Sequence, residues 1–252
     1  MTSVVSRLRA AGCVFAEDEA RLLAEAAATP ADLEDMVSRR VAGLPLEQVL
    51  GWVEFLGLRI ALVPGVFVPR RRTELLASHA ASLAARGSVV VDLCCGSGAV
   101  GAAVHAAVPG IELSAVDIEP AAVRCARGNI AGTVYEGDLY DPLPDSLRGR
   151  VDVLVANAPY VPSDAVGLMP PEARLHEPLV ALDGGADGLD VLRRVIRDAS
   201  SWLADGGHLL FETGTRQADA AVETVAAAGL VPDVVTDEDL AATVVVGRRS
   251  GG

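Results

Sequence analysis

Three carboxylates and one asparagine stand where a ligand could use them. Asp92 lies four residues before Gly96 in Asp92-Leu93-Cys94-Cys95-Gly96-Ser97-Gly98, and Asp117 ends the next apolar run, before Ile118. Asp138 follows in Glu136-Gly137-Asp138-Leu139, and Asn157 opens Asn157-Ala158-Pro159-Tyr160. Each sits at the end of a short apolar run that reads as a buried strand, and the carboxyl ends of such strands are where open α/β sheets bind ligands.

The glycine turn suits a ligand because glycine lets the backbone approach closely. The helix that follows points its N-terminus at whatever binds there. Two ligands compete for it. Gly96, Gly98 and Gly101 satisfy the G-x-G-x-x-G dinucleotide fingerprint, and Asp117 lies at the spacing that fingerprint requires. The same residues read as D-x-x-x-G-x-G, a loop for S-adenosylmethionine. The Asp92 carboxylate favours this second reading: it suits a cationic amino-acid tail and repels a pyrophosphate. Asp117 would accept from ribose hydroxyls in either case, and Asp138 from an adenine amine. The residues expected to hold the donor are Asp92, Cys94, Gly96, Gly98, Asp117, Ile118, Asp138, Leu139 and Asn157. The bland alternative is that the glycines only pack helix on strand.

Asn157, Ala158, Pro159 and Tyr160 are the expected catalytic residues. An amide or aniline-like nitrogen is a poor nucleophile because its lone pair is delocalised. The Asn157 side-chain oxygen and the Ala158 carbonyl could each accept one N–H, aiming that lone pair at a methyl group. Tyr160 could stack on the planar acceptor, and Pro159 biases Ala158 towards an extended backbone. In isolation the tetrapeptide is also an ordinary turn. No general base is required; orientation carries the rate, worth up to roughly 7–11 kcal/mol in ideal geometry.

These residues need elements to carry them. Apolar runs near 88–94, 111–117, 132–137, 151–157, 207–213, 231–236 and 242–248 predict strands. Helical patterns fill 99–107, 119–130, 187–204 and 216–229. Such alternation predicts an α/β fold with a mainly parallel sheet covered on both faces, closed by an antiparallel last pair of strands. Upstream, residues 3–42 read as helices, 52–63 as a β-hairpin about Gly57, and 73–85 as a helix.

Composition narrows the chemistry. The chain of 252 residues contains no lysine, so its 21 basic residues are all arginine. A phosphate loop ending in Gly-Lys, a pyridoxal Schiff base and a lysine nucleophile are excluded. The net charge of −13 weighs against a nucleic-acid partner. Cys13, Cys94, Cys95 and Cys125 form no metal-like spacing and read as reduced thiols, with no metal expected. Without a signal-like N-terminus or an apolar run long enough to span a bilayer, a cytoplasmic enzyme with no membrane partner is expected.

Further motifs extend the pattern. Gly43 to Gly51 reads G-L-P-L-E-Q-V-L-G and precedes Glu54-Phe55; Val68-Pro69-Arg70 precedes Thr73-Glu74. Downstream come Glu177-Pro178, Ala181-Leu182, Gly184-Gly185, Gly188-Leu189 and Glu212-Thr213-Gly214 with Gln217. Together with the two strand-end motifs, these resemble the HemK/PrmC protein-(glutamine) methyltransferases over nearly the whole chain after residue 40. The resemblance implies a helical N-terminal domain over 1–46, a β-hairpin linker over 47–72, and a seven-stranded Rossmann-like class I methyltransferase domain over 73–252. It implies a protein substrate: the glutamine of a Gly-Gly-Gln motif in a release factor, or a ribosomal protein. The chain departs from the family pattern in four ways. Ala158 replaces the first proline of Asn-Pro-Pro-Tyr, Cys94-Cys95 replace a glycine–threonine pair, the helical segment is short, and Asp239-Leu240-Ala241-Ala242 lacks an arginine that often follows in the family. An adenine amino-methyltransferase on nucleic acid, a nicotinamide-dependent oxidoreductase and a non-catalytic donor-binding module are the competing functions.

Overall fold

Every residue of Val89–Leu93 is buried, as expected for a strand covered on both faces at the centre of a parallel sheet. The computed structural model, which describes residues 2–251, builds the rest around it. Four helices come first: α1 Thr2–Ala10, α2 Ala16–Ala26, α3 Pro30–Val41 and α4 Leu46–Leu50. Thr29 caps α3 by accepting the Asp32 N–H at 3.1 Å, with Pro30 in the first turn. The hairpin follows as β1 Trp52–Phe55 and β2 Leu58–Ala61, then α5 Glu74–Leu83. The remaining elements are β3 Val89–Leu93, α6 Ala99–Ala107, β4 Glu112–Asp117, α7 Pro120–Asn129, β5 Thr133–Glu136, β6 Val151–Ala156, α8 Pro171–His176, α9 Asp190–Trp202, β7 Leu203–Glu212, α10 Ala218–Ala227, β8 Val231–Asp237 and β9 Ala242–Arg248.

The main sheet has seven strands in the order β5-β4-β3-β6-β7-β9-β8. β9 runs antiparallel to both its neighbours, and the other strand pairs are parallel. The antiparallel closing pair expected from sequence is therefore present, with β9 inserted between β7 and β8. After β3 the chain moves outwards to β4 and β5, then returns to lay β6 on the other side of β3. That reversal is a topological switch point, where such sheets open a crevice.

Both faces are covered. One carries α5, α6, α7 and the hairpin; the other carries α9 and α10. The buried stripe of α9 (Leu192, Val195, Ile196, Ala199 and Trp202) recurs at helical spacing, each large member contributing roughly 1.5–3 kcal/mol. Tyr140 stacks on Trp202 with ring centroids 5.5 Å apart.

Two features were not read from sequence. Residues 46–50 form α4, whose Val49 joins Leu8, Leu23 and Val37 in the core of the N-terminal helices. Short helical pieces at 166–168, 171–176 and 179–181 build the wall after Tyr160. Arg40 of α3 ties the N-terminal helices to that wall: it pairs with buried Glu19 of α2 at 2.6 Å and with Glu172 of α8 at 2.7 Å.

Candidate active site

Leu93 on β3 pairs with Ala156 on β6, so the chain leaves both strands at one level. The glycine turn and the Asn157 tetrapeptide emerge side by side. An open cleft of about 1110 Å³ spreads over these strand ends, lined by Asp92, Cys94, Gly96, Asp117, Ile118, Asp138, Leu139 and Asn157 among others. Eight of the nine residues expected to hold the donor thus converge; the ninth, Gly98, lies outside the lining. A Cβ on Gly98 would come within 2.7 Å of Ile130 and 3.2 Å of Ala126. Gly98 therefore lets α6 pack against α7 rather than touching the cleft.

The turn is held by its own carboxylates. Asp117 accepts the Gly96 N–H at 2.8 Å and the Glu119 N–H at 2.9 Å. Asp92 is fully buried and accepts the Gly101 N–H at 2.9 Å. Burial pushes the Asp92 carboxyl up to about 7, with the Asp117 charge adding and the Gly101 N–H opposing. Cys94 adopts φ +54°, the left-handed region that glycine occupies freely, which explains a glycine at this position elsewhere in the family pattern. Burial, then the charges of Asp117 and Asp92, push the Cys94 thiol up, so it is no nucleophile at neutral pH.

The cleft fits an S-adenosylmethionine donor. A Cβ on Gly96 would meet nothing within 4 Å, so the turn opens onto free space rather than onto the protein's own side chains. The Ser97 hydroxyl is buried at the turn and has no hydrogen-bond partner among the described residues. Asp92, Asp117, Glu119 and Asp138 line the cleft against the single guanidinium of Arg194, a balance that favours a cation and repels a pyrophosphate. Arg194 bonds Asp138 at 2.7 Å across the cleft's exposed rim.

A smaller chamber of about 330 Å³ adjoins the donor cleft and shares Asn157, Pro159, Phe67 and Ala181 with it. Ala158, Tyr160, Arg70, Arg72 and Met169 complete its walls. All four expected catalytic residues therefore line this second chamber. The Tyr160 hydroxyl donates to Glu212 at 2.5 Å, and Arg72 Nε donates to the same oxygen at 2.9 Å. Burial and the Glu212 charge push the Tyr160 phenol up, so it stays protonated. Gln217 donates to the Tyr160 carbonyl at 2.9 Å and accepts the Gly214 N–H at 3.0 Å, pinning the tetrapeptide to the end of β7. Glu177 accepts from Arg70 at 2.6 Å and from the Val68 N–H at 3.2 Å, fixing the strap that carries Phe67.

Several of these residues are not legible as site residues from sequence. Glu212 and Arg70 appear there only as members of motifs, and Arg72, Arg194 and Phe67 carry no signal. The Thr73-Glu74 and Glu212…Gln217 motifs were the available signal, without the pairing that gives them meaning. His176 contributes its backbone carbonyl, which accepts from Gln48 at 3.4 Å.

The fold and the cleft define a class I S-adenosylmethionine-dependent methyltransferase. Residues 57–169 match the Methyltransferase small domain family. The structure resembles the Thermus thermophilus 16S rRNA N2 G1207 methyltransferase solved with AdoMet and guanosine: TM-score 0.57, 19% identity, covering 79% of this chain and 49% of that one. A protein named release factor glutamine methyltransferase from Geobacter sulfurreducens is 34% identical over 86% of this chain and 77% of its own length. A Streptomyces pristinaespiralis protein named 4-amino-L-phenylalanine/4-methylamino-L-phenylalanine methyltransferase is 39% identical over 72% of this chain and 65% of its own length. The chain belongs to the release factor glutamine methyltransferase family.

Proposed function

We propose that this enzyme transfers a methyl group from S-adenosylmethionine to the side-chain amide nitrogen of a glutamine in a peptide-chain release factor. The observation that carries the reading is the shared wall: Asn157 and Pro159 line both the donor cleft and the acceptor chamber. The donor, when bound, supplies an electrophilic methyl on a sulfonium. The chain's own groups do the rest. Asn157 Oδ1 and the Ala158 carbonyl accept the two N–H bonds of the acceptor amide and turn its lone pair towards the donor. Tyr160, held by Glu212 and Arg72, supports the planar amide. The acceptor nitrogen would give up one N–H proton to water once methylated, so no protein base is needed, and the buried phenol and thiols stay protonated.

The hairpin strap and the helices joined to α8 through Arg40 support the acceptor side of this reading. The segment over 1–46 and the linker over 47–72 would present the acceptor to the domain over 73–252. The same reading puts the enzyme in the cytoplasm with its acceptor. Among the described residues no helix is long and apolar enough to cross a membrane.

A second acceptor class comes from the relative named for 4-amino-L-phenylalanine, because an aryl amine offers the same planar NH2. Incubation of the enzyme with labelled donor and, separately, a purified release factor and 4-amino-L-phenylalanine tests both. Label on the factor, lost when its Gly-Gly-Gln glutamine is changed, is the expected result. Label on the aryl amine alone would replace the proposed acceptor.

A further inference from the structure

Asn157 can work only in one of its two amide orientations. With Oδ1 towards the acceptor it accepts an N–H; turned over, it presents Nδ2 and two donors face each other. Oδ1 takes no hydrogen bond from the described residues, whereas Nδ2 is bonded: it donates to Thr73 Oγ1 at 3.4 Å. Thr73 comes from far away in the chain, in the helical turn Arg71–Thr73 just before α5, and is 2% exposed.

The turn itself is anchored on both sides. The Thr73 N–H bonds the Arg70 carbonyl at 3.0 Å. Arg70 is held by Glu177 and Arg72 by Glu212. Thr73 therefore has little freedom to leave Asn157. A bond of this length contributes little to stability, so its use is orientation.

We infer that Thr73 is a positioning residue for methyl transfer, whose hydroxyl oxygen holds the amino end of Asn157 and so aims Asn157 Oδ1 at the acceptor. This rests on the amide-transfer reading above. A turned-over Asn157 could still accept from the Thr73 hydroxyl, but it would oppose the acceptor's own N–H groups, so the loaded site selects the orientation that Thr73 accepts.

The test uses the full chain with S-adenosylmethionine and a purified release factor. Thr73→Val keeps the shape and removes the oxygen; Thr73→Ser keeps the oxygen. Thr73 also lines the donor cleft, so kcat is read at saturating donor: the expected result is a fall of about tenfold for Thr73→Val, with Tm close to wild type, and recovery in Thr73→Ser. In an Asn157→Ala background, Thr73→Val should cost nothing more. Full kcat in Thr73→Val, or an equal fall in Thr73→Ser, would overturn the role. A second readout does not depend on the acceptor: the side-chain amide resonances of Asn157, assigned by their loss in Asn157→Ala. They should move in Thr73→Val and hold in Thr73→Ser; unmoved resonances in Thr73→Val reject the contact. A wild-type enzyme that leaves the release factor unmethylated sinks the proposed acceptor, while these resonances still decide Thr73.

Discussion

Leu93 and Ala156 are paired residues on adjacent parallel strands, and the chain beyond each lines the same cleft. Cys94 begins the glycine turn; Asn157 begins the tetrapeptide proposed to grip the acceptor. Neighbouring strands lie about 4.8 Å apart, so strand pairing sets the two segments side by side.

That arrangement makes Asn157 the most sensitive position. Asn157→Ala should lose at least ~3 kcal/mol of transition-state stabilisation, comparable to removing one oriented donor from an oxyanion site. Donor affinity, measured by calorimetry, should fall far less than turnover, because Asn157 is only one of the many residues lining the donor cleft. Turnover equal to wild type would remove Asn157 from the mechanism.

Asp92 should impose a pH dependence on the unliganded protein. Its carboxyl titrates at about 7 when folded, above the ordinary value of 3.8. As pH rises between these values the unfolded chain loses its proton first, so stability falls across that window and levels off above it. The loss is on the order of 4 kcal/mol at 1.36 kcal/mol per pH unit. Asp92→Asn should flatten the Tm profile between pH 4 and 7 and weaken donor binding, whose affinity in wild type should rise as Asp92 ionises. Parallel Tm profiles in the two proteins would contradict this.

Gly98 should be costly to change although it lies outside the lining of the cleft. Gly98→Ala puts a Cβ against Ile130 at φ +82°. Overpacking and the left-handed backbone together should cost about 2–4 kcal/mol. Ile130→Ala in the same chain should recover the packing part. A Tm unchanged by Gly98→Ala would show that α6 and α7 separate freely.

The Glu212 pair should appear in turnover before it appears in donor binding. Tyr160→Phe leaves the buried Glu212 with only Arg72 on the shared oxygen, and its other oxygen already lacks a partner. The expected cost to stability is about 1–3 kcal/mol, with kcat/KM for the acceptor reduced and donor affinity retained. Glu212→Gln should have a milder effect, since its amide oxygen can still accept from Tyr160. An effect confined to donor affinity would place Tyr160 in the wrong chamber.

Local physics made much of this protein legible from its residues. Strand and helix periods, the glycine turn and the residue types at the strand ends depend on neighbours a few positions away, so the elements, the donor chemistry and the Asn157 tetrapeptide could be read in order. The tertiary structure decided the partnerships. Thr73 meets Asn157 across 84 residues, and Tyr160 meets Glu212 across 52. Both contacts exist because β6 returns to the flank of β3 after the chain has built β4 and β5, and β7 then pairs with β6. Likewise the residue type at position 98 could not separate a ligand contact from a packing contact, because Ile130 reaches it from α7. Sequence spacing carries no record of which strand lies beside which; hydrogen bonding across the sheet and burial of its two faces do.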